Sequence, residues 1–316
     1  MAMNRVQFQQ GLSMHEFMEL YGTPELCEQA LIGWRWPKGY QCPTCGSASH
    51  STFRRRSLLY MQCTACRFQC SPIAGTIFES TKLPLTKWFL AMHLLTQAKT
   101  NMSMLELSRH IGVSYPSAWL MKHKLMEVMR LREGTRRLSG RVEIDDAYLG
   151  GERSGGKPGR GSENKVPFVA AVQTTESGEA QFVCLAQLPF TKEALQAFAD
   201  RSLVRPLTVV SDGLACFTVT GTAGVHQRIV TGGGKASAAN PRLSAVNTTL
   251  SNLKTAISGA YHAVGFAKYA HRYLAEFQYR FNRRFDLRVI FERLAWVAAR
   301  ATPINRDSIR TADVGC

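Results

Sequence analysis

Two Cys-x2-Cys pairs constrain the fold of this chain more than any other feature of its sequence. Cys42 and Cys45 form the first pair and Cys63 and Cys66 the second, with 17 residues between the pairs. Two such pairs, each forming a short turn called a zinc knuckle, supply four thiolates to one tetrahedral Zn²⁺. The glycine after the first pair suits a tight turn. The alternating segment LLYMQC before the second pair predicts a strand. We therefore predict a zinc ribbon over residues 36–75, with a structural Zn²⁺ on these four cysteines.

This interpretation of the cysteines depends on the cellular compartment. The N-terminus lacks a signal-peptide core, and the chain has no apolar run long enough to span a membrane. We therefore expect a cytoplasmic protein without a membrane partner, whose 9 cysteines are reduced rather than paired in disulfides. Cys27 and Cys70, which lie outside the two pairs, are interpreted as packing residues.

The charge of the chain indicates a polyanionic partner. It has 39 Lys and Arg against 23 Asp and Glu, a formal net charge of +16 and a pI near 9.7. Such a balance favours nucleic acid over a small metabolite as the partner, although a merely basic soluble protein would fit the charge equally well.

Helical periodicity follows the ribbon. A helical segment is expected over residues 1–35, and a helix near residue 86, with Thr86 able to cap it, places Trp88, Phe89, Met92 and Leu95 on one face. A short helix, a turn at Gly112 and a long helix capped by Ser114 come next. This pattern predicts a helix-turn-helix DNA-binding region over residues 80–135, with an ordinary helical hairpin as the alternative.

From residue 140 the hydrophobic period changes to two. The segments RVEIDDAYL, KVPFVAAVQTT and EAQFVCLAQL predict three strands, followed by a helix capped by Thr191 and a buried strand LTVVSD. This order predicts a ribonuclease-H-like α/β domain over residues 140–290, with a C-terminal tail over residues 291–316. Ligands of open α/β sheets gather at the carboxyl ends of strands, where Asp145 and Asp212 are expected.

Two aspartates close together require a cation. Mg²⁺ or Mn²⁺ beside them would form the nucleus of a two-metal phosphoryl-transfer site. Two glycine-rich segments, GGERSGGKPGRG and TGGGKASAANP, lack the spacing of phosphate-binding loops and are interpreted as basic loops that contact the DNA backbone.

Taken together, the zinc ribbon and the segments VEIDDAYLGG, VVSDG and VNTTLSNLKTAISGAYH resemble the bacterial insertion-sequence transposases of the ISXO-like group, within the DDE superfamily. The resemblance runs from about Cys42 to about Arg284. It implies that Asp145 and Asp212 are the first two catalytic residues, and that Asp146 stands where many relatives carry Glu.

The third catalytic position in that superfamily lies on a later helix, with a basic residue seven places further on. Counting back from Lys254 gives Asn247, and seven residues are nearly two helical turns, so the two side chains share a face. Most DDE enzymes carry Glu at this position, whereas a subgroup of the ISXO-like family carries Asn. Lys254 is then expected to contact a DNA phosphate. Glu276 is the alternative third ligand, and His262 and the run YRFNRR also resemble family positions.

The resemblance implies a DNA transposase that uses Mg²⁺ or Mn²⁺ to cleave the ends of its element and to join them to target DNA. Its partners would be the terminal inverted repeats and the target, bound by a homo-oligomer in the bacterial cytoplasm at the nucleoid. Two alternatives stay open. One is a catalytically inactive DNA-binding regulator derived from a transposase, which the Asn at position 247 favours, and the other is a structure-selective nuclease of the same fold.

Overall fold

A computed structural model describes residues 6, 8–150, 165–230, 240–261 and 265–312. The chain divides into two compact units, one formed by Met1–Val128 with Phe285–Cys316 and the other by Met129–Arg284. Most of the two glycine-rich basic segments and His262 lie outside the described residues, so their predicted roles stay predictions. In the described part of the chain, no helix has the length and apolarity needed to cross a membrane.

The zinc-ribbon segment folds as a small antiparallel sheet. Its strands β1 (His50–Arg55), β2 (Leu58–Cys63) and β3 (Gln69–Cys70) lie in the order β1-β2-β3. The strand predicted from LLYMQC is therefore confirmed as β2. Its alternation buries Met61 and Cys63 beneath the sheet, where they pack with Tyr40, Cys42 and Cys70. The hydroxyl of Tyr40 lies 3.8 Å from the Cys70 sulfur.

Helices make up the rest of the first unit. Their bounds are α1 (Met14–Tyr21), α2 (Pro24–Arg35), α3 (Leu85–Gln97), α4 (Met104–Ile111), α9 (Ile290–Ala298) and α10 (Arg306–Thr311). Helix α5 (Tyr115–Glu133) begins in this unit and ends in the second, which starts at Met129. Side-chain oxygens cap α1 and α2, from Ser13 and Thr23. Residues 291–316, predicted as a tail, include most of α9, which packs on α3, and the Tyr21 hydroxyl donates a hydrogen bond to Glu292.

The structure corrects one cap in the helical region. Helix α3 begins at Leu85 after Pro84, so Thr86 lies inside the first turn and does not cap it. The predicted inward face is confirmed, since Trp88, Phe89 and Met92 are buried. Helix α4 ends at Ile111 and is followed by Gly112, whose φ of +61° gives the left-handed C-cap that glycine favours.

Helix α5 exposes little of its length. Tyr115 and Pro116 in its first turn are exposed, whereas most residues from Ala118 onward are buried, including Lys122 and His123. The exposed residues of this helix therefore lie in its first turn and at its C-terminal end, where Leu131 and Arg132 are exposed.

The second unit is built on a five-stranded mixed sheet. The strands are β4 (Leu138–Leu149), β5 (Val166–Thr174), β6 (Ala180–Gln187), β7 (Leu203–Ser211) and β8 (Gly224–Arg228), in the order β6-β5-β4-β7-β8. The first three form an antiparallel meander, and β7 and β8 run parallel to β4. This topology confirms the predicted ribonuclease-H-like α/β class.

The fifth strand of this sheet was not predicted from the sequence. Its residues GVHQR lack alternation, and Val225 at the sheet edge is 62% exposed. Parallel backbone pairing with β7 determines this strand, and hydrophobic patterning does not reveal such pairing.

Helices cover both faces of the sheet. Helix α6 (Lys192–Ser202), which begins at the predicted Thr191 cap, packs on the face that carries Val142 and Ile144 of β4. Helices α7 (Ser244–Ser258) and α8 (Phe266–Phe281) contact β4, β5 and β6. Because side chains alternate along a strand, Glu143 and Asp145 project to the opposite face from Val142 and Ile144, toward α7.

Candidate active site and zinc centre

The parallel pairing of β4 and β7 brings two predicted site residues together. In the register of these strands Ile144 lies opposite Ser211, so Asp145 and Asp212 follow side by side. Carboxylate oxygens of Asp145, Asp146 and Asp212 all lie within 4.8 Å of one another. Three acids from two adjacent strands therefore form one cluster.

Backbone groups orient two of these carboxylates. The Asp146 N–H donates to Oδ1 of Asp145 at 2.9 Å, and the Leu214 N–H donates to Oδ1 of Asp212 at 3.1 Å. Gly213 makes the second contact possible, because its φ of +98° is a conformation that side-chain-bearing residues rarely adopt. The Arg228 Nε also donates to the Gly213 carbonyl at 2.9 Å, which fastens this turn to β8.

The electrostatics of the cluster favour a cation. Burial raises the pKa of Asp145 to about 7, the negative charges of Asp212 and Asp146 add to this rise, and Lys254 opposes it. The repulsion between like charges held this close in a half-buried place is relieved either when one carboxyl is protonated or when a bound cation compensates them.

A cleft of about 930 Å³ opens beside the cluster. Asp145 and Asp146 line it from β4, and Asn247, Ser251 and Lys254 line it from α7. The structure thus brings Asp145, Asn247 and Lys254 into one cleft, and Asp212 joins them through the carboxylate cluster.

Glu276 has a different environment. It lies on α8, is fully buried and accepts a hydrogen bond from the Tyr261 hydroxyl. Tyr261 lines the cleft, whereas Glu276 is not among the described residues that line it. Burial, together with the neighbouring Glu276, raises the pKa of Tyr261 well above its usual value.

Glu143 was missed in the sequence and fixes where α7 begins. Its side chain is 1% exposed, Oε1 accepts from Arg141 Nη1 at 2.6 Å, and Oε2 accepts from the Val246 N–H at 2.9 Å. Val246 lies in the first turn of α7, where backbone N–H groups have no partner within the helix. The sequence feature that could have identified Glu143 is an acidic residue within an apolar strand, two residues before Asp145.

The four cysteines of the ribbon form the second cluster. The Cys42 and Cys66 sulfurs lie 3.5 Å apart and those of Cys45 and Cys63 3.6 Å apart, and all four lie within 4.8 Å. A tetrahedral Zn²⁺ with Zn–S bonds near 2.3 Å needs sulfurs roughly 3.8 Å apart. Burial opposes ionisation of Cys42, but hydrogen bonds from the backbone N–H groups of Cys45 and Thr44 and from the thiols of Cys66 and Cys45 together outweigh it and lower its pKa to about 6. The cluster therefore suits a structural zinc ion.

Comparison with known families matches both units. Residues 137–282 match the ISXO2-like transposase domain, and residues 22–69 match the transposase zinc-ribbon domain of the same group. The chain thus contains an ISXO2-like transposase domain and a transposase zinc-ribbon domain. The family resemblance expected from the sequence is thereby confirmed, and the sheet with Asp145 and Asp212 lies inside the matched transposase domain.

Individual proteins also resemble this chain. An uncharacterized protein in transposable element ISH50 of Halobacterium salinarum is 31% identical over 202 residues, which cover 58% of this chain and 65% of that protein. The crystal structure of a pre-cleavage Mos1 transpososome aligns with 69% of this chain and 79% of its own, at 11% identity and a TM-score of 0.24. At that score the fold assignment depends on the strand order described above.

Proposed function

We propose that this protein is a DNA transposase that cleaves the ends of an insertion sequence and joins them to target DNA. The observation that carries the proposal is the register of β4 and β7, which brings Asp145 and Asp212 together beside a cleft containing Asn247 and Lys254. The match to an ISXO2-like transposase domain supports the same activity.

The donor set fits Mg²⁺ or Mn²⁺. Carboxylate and amide oxygens are the hard ligands these ions prefer. The raised pKa of Asp145 reflects burial first and then the negative charges of Asp212 and Asp146, and a divalent cation would compensate those charges. Asp145 and Asp212 would hold the metal, with the side-chain oxygen of Asn247 as a neutral third ligand. Bound metal would supply Lewis-acid stabilisation of the phosphate and a more acidic water for hydrolysis.

The protein's own residues would orient the DNA. The ammonium group of Lys254, on the same face of α7 as Asn247, would bind a backbone phosphate and hold the scissile bond in register. Hydrolysis of a phosphodiester at the end of the element frees a 3′-hydroxyl. This hydroxyl then attacks a target phosphodiester in line, so one phosphorus–oxygen bond forms as another breaks and no covalent enzyme intermediate is required.

Glu276 is the competing third ligand. Metal binding by Glu276 would require a rearrangement, because Glu276 is not among the described residues that line the cleft and accepts a hydrogen bond from Tyr261, which does line it. Asn247 needs no such change, since it already faces the cleft. We therefore assign the third position to Asn247.

The zinc ribbon and the helical region would bind the terminal inverted repeats. Joining requires two element ends to be brought together, so the active species would be a homo-oligomer assembled on DNA. Association with the nucleoid would follow from that binding.

A strand-transfer assay tests the proposal. Purified protein is incubated with Mg²⁺, a library of candidate element ends and a target plasmid, and the joined products are sequenced. Joining by wild type, and its loss in Asp145→Ala, supports a transposase. Metal-dependent cutting without joining of precleaved ends supports the structure-selective nuclease.

One observation favours a second candidate, a catalytically inactive DNA-binding regulator. Asn247 carries no charge, so the predicted ligand set holds fewer negative groups than a set with three carboxylates. Binding to element ends with no metal-dependent cleavage in the same assay would support this regulator.

A further inference from the structure

The ribbon carries a concentrated positive charge. Residues 36–75 contain no Asp or Glu. Their basic residues are Lys38, Arg54, Arg55, Arg56 and Arg67. Three of these are consecutive and occupy the end of the hairpin formed by β1 and β2.

Two of the three hairpin arginines are held in place by other side chains. Arg54 donates to Glu28 at 2.7 Å, so its charge is already paired. Arg55 lies over the ring of Tyr60 at 5.2 Å and donates to Gln69 at 3.3 Å. Its exposed guanidinium has no carboxylate partner among the described contacts, and its orientation is partly fixed before any ligand binds.

Arg56 occupies a backbone position that does not suit it. Because Arg55 pairs with Leu58, the hairpin loop has two residues, and the first of them, Arg56, has a φ of +56°. Two-residue hairpin loops favour Gly, Asn or Asp at positions with positive φ. A long cationic side chain there contributes nothing to the turn, which points to a role outside the fold.

A groove lies beside this hairpin. It has a volume of about 720 Å³, with Arg55 and Arg56 on the hairpin side and Lys82 on the facing segment. The one acid among the described residues that line it is Glu28, which is already paired with Arg54. Exposed cations on both rims therefore dominate the charge of the groove.

We propose that this groove binds the sugar-phosphate backbone of duplex DNA, with Arg55, Arg56 and Lys82 on its phosphates. The inference rests on the proposed function, which makes DNA the substrate. It identifies a contact surface away from the candidate active site, and the contact is independent of base sequence, because phosphates carry no sequence information.

A matched pair of variants tests the proposal. Arg56→Asn and Arg67→Asn each remove one exposed charge at a positive-φ position, +56° and +62°, but Arg67 does not line the groove. Binding of full-length protein to a fluorescent duplex of random sequence is measured across a salt series. For Arg56→Asn we expect weaker binding and a slope of log K against log salt smaller by about 0.9, the value for one phosphate contact. For the double variant Arg55→Gln/Arg56→Asn, the slope of log K against log salt should fall by about twice that amount.

Stability separates this contact from a structural role. Asn suits a left-handed position better than Arg, so Arg56→Asn should bind zinc normally and unfold at an equal or higher denaturant concentration. Better folding together with weaker DNA binding is the expected result. An unchanged slope for Arg56→Asn, or an equal change for Arg67→Asn, would overturn the assignment to the groove.

The same experiment distinguishes this inference from the proposed function. If wild type binds the duplex and joins ends while Arg56→Asn binds equally well, only the groove assignment fails. If wild type shows no salt-dependent binding to DNA, the proposed function fails and the groove assignment fails with it.

Discussion

The carboxylate of Glu143 accepts the backbone N–H of Val246 at 2.9 Å, so a residue of β4 caps the first turn of α7. Glu143 stands two residues before Asp145, and Val246 immediately precedes Asn247. One buried hydrogen bond therefore links the strand that carries the first site residue to the helix that carries the third. A carboxylate at a helix N-terminus also interacts favourably with the helix dipole.

Removing this link should disturb both stability and cleavage. Glu143→Ala leaves the Val246 N–H without its acceptor and removes one of three acceptors of Arg141, which still donates to Thr174 and to the Arg242 carbonyl. A buried donor left without a partner costs about 1–3 kcal/mol. Glu143→Gln keeps an oxygen for Val246 and should recover most of the cleavage rate, although it loses the charge. Urea unfolding gives the stability, and cleavage at saturating DNA and metal gives the rate.

A surface acid provides the control for Glu143. Glu179 is exposed at the start of the β6 hairpin, so Glu179→Gln should change stability by less than about 0.5 kcal/mol and leave cleavage unchanged. If Glu143→Ala cleaves at the wild-type rate once folded, the positioning role is wrong.

The comparison of sequence with structure shows which features periodicity reveals. Strands β4 to β7 were predicted because they are apolar over most of their length, and the knuckles were predicted because ligand spacing is a local property. Strand β8 was missed because its residues are polar and exposed, and its pairing partner β7 lies earlier in the chain.

The residues of the candidate site likewise fall into those that a local sequence pattern predicts and those that it does not. Asp145 and Asp212 could be placed from strand ends, whereas Asn247 needed the family resemblance, because Asn on a helix has many ordinary roles. Glu143 stands out in the sequence as an acid in an apolar strand, but its role was overlooked because its partner is a backbone N–H more than 100 residues away, and the sequence does not show which group it contacts. The misplaced cap at Thr86 shows the limit of local rules, since Pro84 determines where α3 begins.

Removal of zinc should unfold the ribbon alone. Metal binding and folding are coupled in modules of this size, so a strong chelator should abolish the ribbon's structure while the second unit keeps its cooperative unfolding transition. Cys42→Ser should release zinc. Cys27→Ser should retain it, because Cys27 is a buried residue whose thiol donates to the Tyr21 carbonyl. Metal analysis with circular dichroism measures both, and purified wild type without zinc would contradict the assignment.

Lys254→Ala should weaken substrate binding more than chemistry. Loss of one phosphate contact lowers the slope of log K against log salt by about 0.9 on duplex DNA, and higher DNA concentrations should restore the rate. Lys192→Ala is the matched control, because Lys192 is exposed at the start of α6 on the other face of the sheet. A rate at saturating DNA that falls at least tenfold, with unchanged affinity, would instead assign Lys254 to the chemical step.

The assignment of the third ligand gives a ranked series. Asp145→Ala and Asp212→Ala should abolish metal-dependent cleavage, because each removes a carboxylate from the cluster beside the cleft. Asn247→Ala should weaken cleavage severely, because it removes the proposed neutral ligand that lines the cleft. Asn247→Asp keeps the size of the side chain and adds a charge, so it should retain activity and reach half-maximal cleavage at a lower Mg²⁺ concentration. Thr248→Ala, an exposed neighbour on α7 that does not line the cleft, is the control and should behave as wild type. Cleavage measured over a Mg²⁺ titration decides the question, since an active Asn247→Ala beside an inactive Glu276→Gln would transfer the third position to Glu276.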